Sequence, residues 1–448
     1  MTFKHLLAAS LAVTSMVAPA FAAPKTQTKP VQFSDEGGAQ LKSDFELIRQ
    51  RLDEQAAKVA EIEAGNEALA DLYDSLPNLI KRSAITGFAD MVVGGASGDP
   101  VWLNKEGTKT FQVNNNVDLG TRIRLNALIP ISPDNKDALR VRLNFKNIEK
   151  YSDRLGFRGA RQYFDGVDDL AIDKLYYQRS FGKGKGAFTV GAIETEFKNM
   201  NAGAGSYRFS EARTFKEFSA GVAGRPTDGG GVGAYYWFSP NVALSAGVTA
   251  QDTTDVEGAK GINNPNRNYT AELLYKNTKD TFRAALGFTR TEAKDGGQRI
   301  VDYGTTYAAS PFGKTTASTS NSIGLQAGYR LTKNFSLNAN VGYTMASSNV
   351  GGKTANIPQY SLNGTLENVF GRKGDKFGIT VGALPYVASA SAGVDTNNAT
   401  PYAVEALYSY QVNKNLSVQP GVVVYANSNG FDGSPTTVAA YVKTTFNF

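Results

Sequence analysis

Two short basic rows hold the residues best placed to do chemistry. Arg122 and Arg124 lie in TRIRLNALIP (121–130); Arg140, Arg142 and Lys146 lie in ALRVRLNFK (138–146), with Lys174 further along. A spacing of two puts such side chains on one face of a strand. Four guanidiniums on one face concentrate anions and offer flat, forked donors to phosphate, carboxylate or sugar hydroxyls. Catalytic alternatives are few. The chain has no cysteine and one histidine, His5, which falls in an N-terminal leader. Once that leader is removed, nucleophile–imidazole pairs and cysteine or histidine metal sites are excluded. The expectation is no enzyme, no cofactor and no metal.

The elements that position these rows are strands. Val117, Leu119, Ile123 and Leu125 oppose Asp118, Arg122, Arg124 and Asn126; Leu139, Val141, Leu143 and Phe145 oppose Arg140, Arg142, Asn144 and Lys146. A tight turn separates the two segments, so they pair as a hairpin and their basic faces merge. Arg or Lys on a lipid-facing surface would cost about 2–4 kcal/mol at the bilayer midplane, so the basic rows must face inward, and Asp118, Glu149 or loop acids could neutralise them in part. The segment 437–448 alternates in the same way. Val438, Ala440, Val442, Thr444, Phe446 and Phe448 share one face, and Thr437, Ala439, Tyr441, Lys443, Thr445 and Asn447 the other. Its aromatic last residue resembles the closing strand of outer-membrane barrels.

Composition agrees. The 448 residues include 46 Gly, 21 Tyr and 25 Phe, and the mean hydropathy is −0.29. Beyond the first two dozen residues no run of 18 apolar residues could span a membrane as a helix. The fold class expected is an all-β transmembrane barrel of about 16 antiparallel strands, preceded by an N-terminal α-helical coiled coil. Strands are expected at 84–94, 116–129, 138–149, 170–181, 187–197, 231–239, 242–251, 268–276, 281–292, 321–331, 334–346, 357–370, 376–388, 401–412, 415–426 and 437–448. Seven tight connections alternate with longer polar ones, as short periplasmic turns alternate with external loops. Parity requires an odd number of connections between the tight turns at 182–186 and 239–241, so one long external loop, 198–230, joins the fifth and sixth strands. In familiar 16-stranded porins the loop at this place folds inward, which makes Arg208, Glu211, Arg213, Lys216, Glu217 and Arg225 candidate constriction groups.

Ahead of the barrel, residues 1–22 read as a signal peptide: Lys4 and His5 precede an apolar run from Leu6 to Val17, and Ala20-Phe21-Ala22 is an A-x-A cleavage site. Residues 23–40 form a linker. Over 41–80 the apolar spacing changes to alternating threes and fours, with Leu41, Phe45, Ile48, Leu52, Val59, Ile62, Asn66 and Leu69 along one seam. A stripe this narrow suits a coiled coil. One copy cannot bury it, so self-association follows, as a homotrimer by analogy with large porins, unless the stripe packs against its own barrel (84–448). The formal net charge of +6 is spread without a basic run, so nucleic acid is not an expected partner.

Later strands carry a more neutral inner face. Ser336, Asn338 and Asn340 oppose Phe335, Leu337, Ala339, Val341 and Tyr343. Val422 and Val424 oppose Val423 and Tyr425, a doubly apolar strand expected against a neighbouring subunit. Tyr275, Tyr329, Tyr343, Tyr408 and Tyr410 are expected near strand ends, in aromatic girdles.

Several stretches resemble the major outer-membrane porins of cyanobacteria, which are related to carbohydrate-selective porins and sometimes labelled iron-uptake porins. They are TRIRLNALIP, ALRVRLNFKNI, LGFRG (155–159), DKLYYQRSFGKGKGAFTVGA (173–192), NSIGLQAGYRLTKNFSLNANVGYT (321–344), GITVGALPYV (378–387) and VAAYVKTTFNF (438–448). Members usually carry an S-layer-homology domain between signal and coiled coil; only a short linker stands there in this sequence, which puts cell-wall attachment in doubt. The resemblance implies an outer-membrane location, with the coiled coil in the periplasm, and cargoes among inorganic ions, iron and small organic solutes. The function expected is a porin for passive diffusion of small hydrophilic solutes or inorganic ions, favouring anions. The alternative is a structural tether between outer membrane and cell wall, with the barrel as its anchor.

Overall fold

The computed structural model describes residues 83–98, 102–103, 109–111, 117–132, 134, 136–146, 169–193, 197–202, 229–251, 266–293, 300–301, 304–434 and 436–448, with Glu46, Arg49, Gln50, Asp53, Glu54, Ala57 and Ala60. The chain divides into two units, Met1–Pro77 and Asn78–Phe448. In the first, those seven residues are helical and exposed. None of them belongs to the expected seam; its residues, like the leader and linker, lie outside the described ones.

The second unit is built from sixteen long strands: β1 (Ala84–Gly98), β2 (Val117–Ile129), β3 (Asp137–Lys146), β4 (Asp169–Phe181), β5 (Gly186–Ile193), β6 (Gly229–Trp237), β7 (Val242–Gln251), β8 (Asn266–Lys276), β9 (Phe282–Ala293), β10 (Ser318–Arg330), β11 (Phe335–Ser348), β12 (Thr354–Glu367), β13 (Lys376–Ala383), β14 (Tyr402–Gln411), β15 (Leu416–Ala426) and β16 (Thr437–Asn447). Each pairs antiparallel with its neighbours in sequence, and β16 returns to pair with β1, so the sheet closes. The closing seam runs from Phe88 opposite Asn447 to Gly98 opposite Thr437. Gly87 and Phe448 extend it with two reciprocal backbone hydrogen bonds of 2.8 and 3.0 Å. The Phe448 ring lies so close over Gly87 that a Cβ there would sit 2.5 Å from it.

Alternation decides the two faces. Val117, Leu119, Ile123, Val232, Leu244, Leu273, Leu325, Val341 and Leu362 stand outward and exposed, while Thr249, Asn268, Gln326, Ser336, Asn338, Thr344 and Asn363 are buried on the inner side. No helix among the described residues is long and apolar enough to cross a membrane. The sixteen expected strands all appear, each within a few residues of its expected span. The doubly apolar strand β15 turns one face each way: Val423 and Tyr425 point inward and are wholly buried, as are Leu407, Ala439 and Tyr441, while Val422 stands exposed on the outward face.

The seven tight connections lie at one end. Their local chemistry is turn chemistry: in 277–281 the Asn277 side chain accepts from the Thr281 and Phe282 amides at 2.8 and 3.0 Å, and Arg283 clamps Asp280 at 2.6 and 2.7 Å. An aromatic belt follows this end. Phe181 stacks on Tyr236 at 6.0 Å, Phe282 bridges Tyr275 and Tyr329, and Phe370 leans on Tyr408. Such rings suit the membrane–water boundary. Tyr343 shares the outward face farther along β11.

At the turn before β13, Asp375 accepts from the Tyr408 hydroxyl at 2.5 Å, the Gln411 amide at 2.9 Å and Arg372 at 2.9 Å. The tyrosine hydrogen bond, followed by the amide and the guanidinium, holds this carboxyl below its ordinary value against the opposing effect of burial. A depressed value means stability that is present above the ordinary carboxylate value of 3.8 and lost as pH falls through the folded one. Asp375→Asn should therefore lower the melting temperature at pH 7, and the gap from wild type should narrow steadily below that value. Thermal unfolding followed by circular dichroism in detergent checks this; a gap that stays constant down to strong acid would show that charge plays no part.

Candidate channel interior

The basic rows come together on the inner wall of β1–β4. Register places Asp90 opposite Arg122, Arg124 opposite Asn144, and Arg142 opposite Lys174. Arg122 pairs with Asp90, which is 1% exposed and also accepts from the Thr445 hydroxyl at 2.6 Å. Arg124 donates to Asn144 at 3.1 Å and reaches Asp173 at 3.5 Å. Arg142 grips Asp173 with two nitrogens, its Nη2 at 2.7 Å. Arg140 donates to the Tyr176 hydroxyl at 3.0 Å. Lys174 is buried on the same face, and Lys146 stands opposite Arg122. The Phe88 ring lies 5.1 Å from the Arg122 guanidinium carbon and 5.9 Å from that of Arg124, close enough for cation–π attraction.

Two of the expected partners, the Asp118 side chain and Glu149, lie outside the described residues; among the described side chains Asp90 and Asp173 pair with these arginines. Asp90 was legible, since it sits among the inward positions of β1. Asp173 was not. The β3–β4 ladder slips there: Arg142 faces Lys174 but Leu143 faces Ile172, leaving Asp173 as an extra residue. Across this bulge the alternation reverses. Leu170 and Ile172 are exposed outward, then Lys174 and Tyr176 are buried inward, so the wall gains a carboxylate between two guanidiniums.

The opposite wall, over β10–β13, is lined by amides and hydroxyls, with an ion pair, Arg330–Glu367 at 3.5 Å, at its tight-turn end. Asn338 donates to Asn363 at 3.1 Å, Asn363 to Thr380 at 2.8 Å, and Ser322 and Thr344 share a hydrogen bond of 2.8 Å. These are the Ser and Asn rows that the alternation of β11 implied.

Two connections fold into the interior. The first leaves β5. Residues Phe197–Asn199 make a single helical turn, and Met200 is fully buried against Gly231, Gly233 and Gly247, where an added Cβ would lie 2.6–2.7 Å from its side chain. Thr189 and Gln178 donate to the Asn199 carbonyl at 3.1 and 3.2 Å, the Ala202 amide donates to Ser245 at 3.0 Å, and Asn201 donates to buried Glu272 at 3.3 Å. This is the described beginning of the loop expected to turn inward. Its candidate groups Arg208, Glu211, Arg213, Lys216 and Glu217 lie outside the described residues.

The second was missed. Between β9 and β10, Ile300, Val301 and Ala308 pack on the inward residues Ala346, Ala355 and Ile357 and on Val387. Thr305 caps the short helix Thr306–Ala309 and donates to Asn397 at 2.9 Å; Tyr307 meets Phe431 edge to face at 5.4 Å. Three connections are thus tied together at the long-loop end. The run Tyr307 to Phe312, apolar within an otherwise polar loop, was the available signal.

Comparison with known proteins agrees with this architecture. The family model described as carbohydrate-selective porin, OprB family, matches residues 157–448. An uncharacterised protein of Synechocystis sp. is 24% identical over 439 residues, covering 91% of this chain and 75% of its own length. An uncharacterised Nostoc sp. protein is 33% identical over 132 residues, covering 30% of this chain and 22% of its own. Among solved structures, Pseudomonas putida OprB superposes with a TM-score of 0.57 at 14% identity, over 85% of this chain and 97% of that one. An anion-selective porin from Comamonas acidovorans gives 0.50 at 12% identity, over 82% and 100%. These low identities speak for the fold, and the family match extends over more than half of the sequence. The chain belongs to the carbohydrate-selective porin, OprB, family: it is an outer-membrane β-barrel channel.

Proposed function

We propose that the barrel carries small hydrophilic solutes by passive diffusion and favours anions. The observation that supports this is the charge balance of the β1–β4 inner wall. Arg122, Arg124, Arg140, Arg142, Lys146 and Lys174 face two carboxylates, Asp90 and Asp173, among the described side chains. Paired guanidiniums keep donors to spare, since each has five N–H groups and a carboxylate engages two. A wall this rich in guanidinium and ammonium groups raises local anion concentration, and its donors can bridge sugar hydroxyls. In this reading Met200 and its neighbours root the connection that narrows the path, with Arg208, Glu211, Arg213, Lys216 and Glu217 beyond it. The seam from Leu41 to Leu69 holds three copies together from the periplasmic side.

Planar-bilayer recordings under a salt gradient test the selectivity. Changing Arg122, Arg124, Arg140 and Arg142 together to Ser should shift the reversal potential toward cations, by a few-fold in permeability ratio at low salt and less at high salt, where charges are screened. An unchanged reversal potential would remove these arginines from selectivity, and a folded barrel with no current would favour the tether.

Gly247 tests the narrowing. A Cβ there meets Met200 Sδ at 2.7 Å while its other neighbours stay beyond 3.2 Å. Gly247→Ala should push Met200 off its seat and change single-channel conductance measurably with the barrel still folded. Identical conductance would mean that residues 197–202 do not bound the conducting path.

Deleting residues 41–76 should reduce the trimer to smaller species on native gels. An undiminished trimer would show that the barrel walls alone hold the assembly.

A further inference from the structure

Glu272 stands in the middle of β8 on the inner face and is 1% exposed. Asn201, from the inward connection that leaves β5, donates to its Oε1 at 3.3 Å; its Oε2 is buried and has no hydrogen-bond partner. The described side chains around it carry no charge. Its inward neighbours are Thr270 and Leu274 on its own strand, with Ser245 of β7 and Gly287 of β9 directly across. The flanking inward positions of β7 and β9 are alanine, glycine and threonine, and the connection brings Met200, Asn201 and Ala202. None of these groups titrates. Among the described residues, the nearest cations along these strands are Lys276 and Arg283. They lie four residues from Glu272 and Gly287, or roughly 13 Å at the rise of a strand. Both have other company: Arg283 grips Asp280, and the Lys276 ammonium lies 4.6 Å from the Trp237 ring centre.

Such a carboxyl has two states of very different cost. Protonated, it is neutral, accepts from Asn201 and leaves one hydroxyl short of a partner. Ionised, it is a charge with a single amide donor, and a buried charge without a counter-ion costs far more than a lone polar group. Only water can restore its solvation, and the connection stands in the way. The Ala202 amide donates at 3.0 Å to Ser245, the residue across from Glu272 on β7. Water that reaches Glu272 has to displace the end of the connection.

We propose that Glu272 is a positioning residue whose proton decides whether residues 197–202 stay seated against the barrel wall. With the proton in place the connection is seated. As pH rises through the titration of this carboxyl, the ionised form drives Asn201 and Ala202 off the wall. The seat is thus a low-pH state and its loss a high-pH one. The effect on conduction rests on the reading above, in which these residues narrow the path; conductance then rises with pH.

Amide hydrogen exchange tests the seat without reference to conduction. Residues 197–202 are followed in the full chain in detergent, in wild type and in Glu272→Gln, which keeps the shape and the acceptor but cannot ionise. Comparing the two at the same pH cancels the intrinsic dependence of exchange on hydroxide. They should exchange alike in mild acid, and in alkali wild type should exchange at least about tenfold faster. Equal exchange in the two chains at every pH would overturn the proposal, and so would faster exchange of wild type in acid. Folding is read from the heat-dependent shift in gel mobility; if Glu272→Gln does not fold, Glu272→Met fills the same space without charge and takes its place. Single-channel conductance then separates the seat from the path. A rise with pH in wild type that Glu272→Gln lacks supports both. Exchange that diverges while conductance stays equal upholds the proton-dependent seat and refutes the narrowing role of residues 197–202.

Discussion

Everything in the second unit depends on closing the sheet. Within hydrocarbon, each unpaired backbone N–H or C=O is costly, and a sheet with free edges cannot satisfy them. The pairing of β1 with β16 removes the last edge. It does so between residues as distant in sequence as Phe88 and Asn447, so the loop-closure entropy is large, although it grows only slowly with loop length. The return is that all sixteen strands become mutually necessary. Small details of the seam make sense in this light. Gly87 leaves room for the Phe448 ring, and Asp90 joins β1 to β2 through Arg122 and to β16 through Thr445.

Closure creates two solvents, and the sequence records them as a period of two. That is why the strands could be read from residue types alone: Val117, Leu119 and Ile123 against Arg122 and Arg124 admit one orientation in a bilayer. Local signals also marked the tight turns, because Gly, Asn, Asp and Pro at those positions satisfy backbone geometry directly. What escaped reading was long-range or aperiodic. Asp173 was hidden because a bulge breaks the alternation that identifies inward residues. The inward fold of 300–312 was hidden because its apolar residues meet Ala346 and Ile357, which lie in other strands.

The interior is therefore unlike around its circumference. One wall is ionic, from β1 to β4. Another, from β10 to β13, is a lattice of amides and hydroxyls that bond to one another across strands. A third, near β14–β16, sets buried Leu407, Val423, Tyr425 and Tyr441 among buried Glu405, Gln419 and Lys443. Polar residues that hold each other offer a passing solute fewer unsatisfied groups than guanidiniums with donors to spare. The uneven distribution gives a solute different company on different sides of its path.

The bulge at Asp173 also makes β4 a strand of two phases. In an ordinary strand, losing one residue turns everything beyond it inside out. Here the segment on one side of Asp173 already runs out of step with the other. Restoring strict alternation would carry Leu170 and Ile172 inward, away from hydrocarbon, and would remove the acid that separates Arg124 from Arg142. The two errors reinforce each other, one by hydration and one by repulsion. A single supernumerary residue thus lets an oily strand end and a charged interior coexist on the same stretch of chain.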